Sequence, residues 1–127
     1  MLVSSLGTSY EMPRGTDEDV VLFLEDINER PYRIERMLVQ WRNAGKLRGV
    51  KGIILGEMPG CDEPGDRYSL LEVLTRVFDD FAGPVAIGLR SGHVSRAALT
   101  LPLESRVQLE CENQAEMHII SQKEQGQ

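Results

Sequence analysis

Apolar and polar positions follow two rhythms along this chain, one suited to buried strands and helices, the other to half-wet strands. After a polar, turn-rich opening from Thr8 to Asp19, Val20-Val21-Leu22-Phe23-Leu24 is an unbroken apolar run, the pattern of a strand covered on both faces. It stops at Glu25-Asp26. Pro31, whose fixed φ suits a first helical turn, then opens a segment in which Ile34, Met37, Leu38 and Trp41 share one helical face, with Gly45 as its expected stop. Val50 to Gly56 predicts a second buried strand, and the turn formers from Pro59 to Asp66 a loop. Ser69 and Glu72 carry the spacing of a capping box, ahead of a helix with Leu71, Leu74, Val77, Phe78 and Phe81 as its apolar positions. Gly83-Pro84 breaks that helix, and Pro84 to Gly88 predicts a third buried strand. Beyond it the period falls to two: Leu99-Thr100-Leu101, Arg106 to Glu110 and Met117 to Ile120 predict short antiparallel strands. The tail, Ser121 to Gln127, is polar and expected to fray.

This order predicts a mixed α/β fold, a small parallel sheet with crossover helices plus an antiparallel β layer. With 127 residues, 41% of them apolar, the chain is the size of one domain, 1–127, with material for a real core. A net charge of −6 argues against nucleic acid or an anionic membrane as partner, since both reward clustered Lys and Arg. No apolar run approaches the roughly 20 residues that span a bilayer, and Met1 to Ser5 lacks the features of a signal peptide. Cys61 and Cys111 stand in no metal-type spacing and are too few for a disulfide scaffold, which suits a reducing cytoplasm.

In a parallel sheet, catalytic groups gather beyond the carboxyl ends of the strands. Two such ends carry ionisable residues here: Leu24 leads into Glu25-Asp26, and Ile87-Gly88 leads through Arg90-Ser91-Gly92 to His93. A carboxylate bonded to one imidazole nitrogen fixes the tautomer and leaves the other nitrogen to take a nucleophile's proton. As residues alone, Glu25 and Asp26 also read as strand terminators or helix caps, and His93 as a solvated loop residue. His118 sits in a strand-like alternation and reads as a surface side chain. No serine lies in a Gly-x-Ser-x-Gly elbow, and Ser69 reads as a cap. Cys61 reads as an ordinary thiol. Glu25, Asp26, His93 and Cys111 form no recognisable metal motif, and Gly49, Gly52 and Gly56 match no phosphate-binding spacing, so no cofactor is expected.

The segment from Val21 to Leu38, with its Glu25-Asp26-Ile27-Asn28-Glu29-Arg30-Pro31-Tyr32-Arg33 centre, closely resembles the LD-carboxypeptidase family, which includes peptidases that trim muropeptides and those that confer immunity to microcin C. The resemblance continues in family order through Gly52-Ile53-Ile54-Leu55-Gly56, Pro84 to Leu89, Gly92-His93 and Leu99 to Leu103. It implies a fold similar to the swivelling β/β/α domain, and a serine peptidase of two domains whose amino-terminal domain, absent from this chain, supplies the nucleophile. Carried onto this sequence, the family's glutamate corresponds to Glu25 and its histidine to His93. The resemblance further implies a muropeptide or related peptide substrate, a homodimer, and a chain that is inactive alone; Arg33 or Arg90 could then assist in recognising the substrate carboxylate. The competing expectation is a non-catalytic binding module built on the same domain. The sequence departs from the family pattern at Glu104, where glycine is frequent, and at Arg96-Ala97-Ala98. Both departures bear on substrate contacts rather than on the triad.

Overall fold

The computed structural model describes residues 2–14, 19–94 and 96–120. Three strands, β1 (Val20–Leu24), β2 (Val50–Gly56) and β3 (Val85–Leu89), form a parallel sheet in the order β1-β2-β3. Two helices provide the crossovers, α1 (Pro31–Asn43) between β1 and β2 and α2 (Leu70–Val77) between β2 and β3. A separate antiparallel hairpin of β4 (Val107–Cys111) and β5 (Ala115–Ile119) follows. A short 3-10 turn, Leu2–Ser5, precedes them all.

Alternation along the strands sorts their side chains into two faces. Leu22, Ile53 and Leu55 join Ile34 and Trp41 of α1 and Leu70, Val73, Leu74 and Val77 of α2 in one core cluster. Val21, Phe23 and Ile54 point the other way and line a shared cavity with Val107, Met117 and Ile119 of the hairpin. The layers are therefore hairpin, parallel sheet and helices. The hairpin packs close over Gly52, where a β-carbon would stand 2.9 Å from Cδ2 of Leu109.

Both helices start where the sequence says, and α1 also stops there, while α2 ends at Val77, short of the expected break at Gly83-Pro84. Pro31 opens α1, and Gly45 follows its end with φ +76°. Ser69 caps α2 in a reciprocal capping box with Glu72. The opening segment is strapped over the far end of α1, where Trp41 Nε1 donates to the carbonyl of Met12 (3.1 Å) and the buried Lys46 ammonium pairs with Glu11 (2.5 Å).

Several expectations need correction. Leu71 is 61% exposed, because Leu70 and Val73 occupy the core-facing side of α2 in its place. Phe81 lies beyond the end of α2, packed against the core from the turn that follows. β3 is not a buried strand. It is the sheet edge that the helix layer does not cover, leaving Val85 38% and Ile87 49% exposed with Ala86 buried. β1, the opposite edge, buries only Leu22 fully, and β2 alone is covered on both sides. Leu99-Thr100-Leu101 forms no strand. Pro102 lacks the N–H a ladder needs, and the segment is tied back by a backbone bond from Leu99 N–H to the Arg90 carbonyl. The tail from Ser121 lies outside the described residues. Among the described residues no helix is long and apolar enough to cross a membrane.

Candidate active site

Because β1 and β3 are parallel, their carboxyl ends face the same way, but β2 stands between them. The residues after β3 close that gap. From Leu89 the chain turns through a bond from Ser91 N–H to the Leu89 carbonyl (2.9 Å) and reaches Gly92 at φ +75°. In doing so it crosses the end of β2 at Gly56, where a β-carbon would lie 3.6 Å from the Ser91 carbonyl and 3.0 Å from Cβ of Glu25. His93 thereby arrives beside Glu25.

The two residues meet through one oxygen. Oε2 of Glu25 accepts from the backbone N–H of His93 (3.1 Å) and lies 2.8 Å from its Nδ1. An ionised carboxylate only accepts, so Nδ1 carries the proton, and in the neutral ring Nε2 presents its lone pair. Burial pushes the Glu25 carboxyl up, but the backbone and ring donors of His93 outweigh it and hold the group below the usual carboxylate range. The Glu25 side chain is 27% exposed and that of His93 57%, so the ring is open on its outer side. An open cleft of about 450 Å³ runs from Glu25 and Gly92 along Leu99, Thr100 and Leu101.

The remaining candidates separate from this pair. Asp26 turns its Oδ1 to the N–H of Ile27 (2.8 Å), a local loop bond. Asn28, at φ +56°, pins the same loop by donating its N–H to the Pro59 carbonyl (3.0 Å). Arg33 is engaged by Tyr32 and Glu29 on the exposed side of α1, and Arg90 contributes its carbonyl to Leu99. Cys61 is fully buried, and burial followed by the nearby Asp26 and Glu29 carboxylates pushes its thiol up, the opposite of what a nucleophile needs. Ser69 spends its hydroxyl on Glu72 and Ser5 on the Leu2 carbonyl. His118 faces Glu116 on the exposed hairpin. Among the described residues, no three of His, Cys, Asp and Glu converge as a metal site would require. The sequence named Glu25 and His93 but gave no part in their meeting to Gly56, the last residue of β2, or to Gly92, in the loop after β3, both of which border Glu25.

The family model described as the LD-carboxypeptidase C-terminal domain matches residues 1–109. The chain belongs to the LD-carboxypeptidase family. It is 37% identical over 111 residues to a Bacillus subtilis protein named "Probable murein peptide carboxypeptidase", covering 84% of this chain and 33% of that one. Among solved structures, a muramoyltetrapeptide carboxypeptidase from Oxalobacter formigenes superposes with a TM-score of 0.78 at 30% identity, over 92% of this chain and 40% of that one. The microcin C7 self-immunity protein, solved with adenosine monophosphate, superposes with a TM-score of 0.59 at 27% identity, over 70% of this chain and 26% of that one. This LD-carboxypeptidase domain spans about a third of the length of the curated relatives it matches, between 31 and 34% for three of them.

Proposed function

We propose that this domain is the carboxyl-terminal half of a serine LD-carboxypeptidase that removes a terminal D-amino acid from cytoplasmic muropeptides, with Glu25 and His93 completing a triad whose serine comes from the amino-terminal domain. The observation that carries the reading is the 2.8 Å contact between Glu25 Oε2 and His93 Nδ1 beyond the ends of two parallel strands. In the proposed reaction Nε2 of His93 takes the proton of the serine hydroxyl as its oxygen attacks the carbonyl of the L,D peptide bond. Glu25 stabilises the imidazolium that forms. The same proton then goes to the leaving amine, the C–N bond breaks, and the acyl-enzyme is hydrolysed by a water that His93 deprotonates in turn. In this reading the oxyanion donors and most of the pocket for the substrate carboxylate come largely from the other half.

Two features support the muropeptide reading over a microcin-like peptidyl nucleotide. The muramoyltetrapeptide carboxypeptidase covers more of this chain and superposes better than the microcin immunity protein. The Bacillus subtilis relative also carries a murein peptide name. A homodimer is part of the proposal, supported by the exposed apolar residues Leu71, Val85 and Ile87 at the uncovered β3 edge. Sedimentation showing a strict monomer across the micromolar range would remove that element.

The test is hydrolysis of an L,D tetrapeptide by this chain alone, then by this chain with the serine-bearing domain of the same protein. Activity only in the mixture is expected. Turnover by the chain alone would overturn the divided triad. Binding of the two domains without turnover would favour a non-catalytic module, and turnover of an aspartyl sulfamoyl adenosine in place of the tetrapeptide would move the substrate class.

A further inference from the structure

We propose that Gly56 and Gly92 are positioning residues that form a slot free of β-carbons in which the Glu25 side chain is seated, and that through this seat they set which nitrogen of His93 carries the proton. For its catalytic consequence the inference rests on the acid–base reading of Glu25 and His93; the seat itself is a property of this chain.

The two glycines bracket the side chain at opposite ends. At the stem, a β-carbon on Gly56 would stand 3.0 Å from Cβ of Glu25, an atom tied to the backbone just after β1 that no rotation of the side chain can move away. At the head, a β-carbon on Gly92 would stand 2.7 Å from Oε2, 2.8 Å from Cδ and 2.9 Å from Cγ. Carbon atoms in ordinary contact lie about 3.5–4.0 Å apart, so both positions exclude a side chain unless Glu25 moves.

A glutamate head usually gives way easily, but this one is held. Oε2 is the oxygen that accepts both the backbone N–H and Nδ1 of His93, the residue next to Gly92. Displacing it from Gly92 therefore breaks the bonds that orient the imidazole. Without its acceptor, the Nδ1 proton loses the interaction that favours that tautomer. The neutral ring then populates the form protonated at Nε2, a donor where the reaction needs an acceptor.

Backbone conformation alone does not explain Gly92. Gly45 has the same left-handed backbone, φ +76°, with no atom within 4 Å of where a β-carbon would sit. Replacing Gly45 by alanine imposes the same backbone strain without touching Glu25.

The experiment is a long-range proton–nitrogen correlation on the uniformly 15N-labelled 127-residue chain, with pH raised until the ring nitrogen shifts stop changing, which marks the neutral ring. The unsubstituted chain is expected to show the Nδ1–H signature for His93. Gly92→Ala should move it to the Nε2–H form, and Glu25→Ala should do the same. Gly56→Ala should move it part of the way, and Gly45→Ala should leave it unchanged. A folded Gly92→Ala that keeps the Nδ1–H signature overturns the proposal, as does a Gly45→Ala that shifts it equally. If Gly92→Ala does not fold, Gly56→Ala decides by the same reading. With the serine-bearing domain added, Gly92→Ala is expected to lower kcat about 100-fold, the scale of a misplacement near 1 Å, with little change in KM. A tautomer shift in a system without turnover would leave the seat standing while removing the acid–base reading.

Discussion

One oxygen of Glu25 holds His93 twice, by its backbone N–H at 3.1 Å and by its ring Nδ1 at 2.8 Å. The same carboxylate thus fixes the loop that carries the histidine and the orientation of the ring. A side chain that does both couples the stability of the domain to the orientation of the imidazole, and the coupling can be read in solution.

Acid should expose the first half of that coupling. The Glu25 carboxyl sits below its ordinary value in the folded chain, because the His93 donors outweigh burial. A lowered folded value contributes stability that is fully present above the unfolded value, about 4.3, and is lost as pH falls through the folded one. Urea midpoints measured from pH 6 down to about 3 should therefore fall more steeply for the unsubstituted chain than for Glu25→Gln. Glu11 and Glu72, also lowered, act equally in both proteins and cancel from the difference. Parallel curves would show that the contact contributes nothing to folding.

The capping box of α2 gives a prediction independent of the site. Ser69 Oγ accepts from the N–H of Glu72 (3.2 Å), and Glu72 Oε2 accepts from the N–H of Ser69 (2.7 Å). Ser69→Ala removes the acceptor for an orphan donor of the first turn and should cost about 1 kcal/mol in urea unfolding. Unchanged stability would mean that α2 is held by its buried face alone.

Glu104 supplies a gain. It stands at φ +59°, where the family often carries glycine, and a side chain in that left-handed region costs roughly 1–2 kcal/mol. Glu104→Gly removes the cost but adds freedom to the unfolded chain worth about 0.5–1 kcal/mol, so the expected outcome is a net stabilisation near 0.5–1 kcal/mol. Thermal unfolding checks the sign, and a lower midpoint would contradict it.

Much of this was legible in the sequence, and the failures share a cause. Apolar runs located β1, β2 and β3, and helical periodicity located α1 and α2. The same periodicity could not say that β3 is an edge, because coverage of Val85 and Ile87 depends on where α2 lies in three dimensions. On α2 it chose Leu71 over Leu70 and Val73, where two adjacent leucines made the face ambiguous by a single position. Leu99-Thr100-Leu101 had the alternation of a strand, but Pro102 and the absence of a partner strand among the described residues decided otherwise. Glu25 and His93 were visible as chemistry at strand ends, whereas their contact across β2 depends on Gly56 and Gly92, whose importance lies in atoms they lack.

The most direct test of the central claim is a double-mutant cycle on kcat for L,D tetrapeptide hydrolysis, with Glu25→Gln, His93→Ala and the double variant each combined with the serine-bearing domain. Groups that act as one unit are grossly non-additive, so His93→Ala should lower kcat by about 10⁴-fold or more and the double variant should be no worse. Losses that multiply, or a His93→Ala enzyme that retains its rate, would contradict the account.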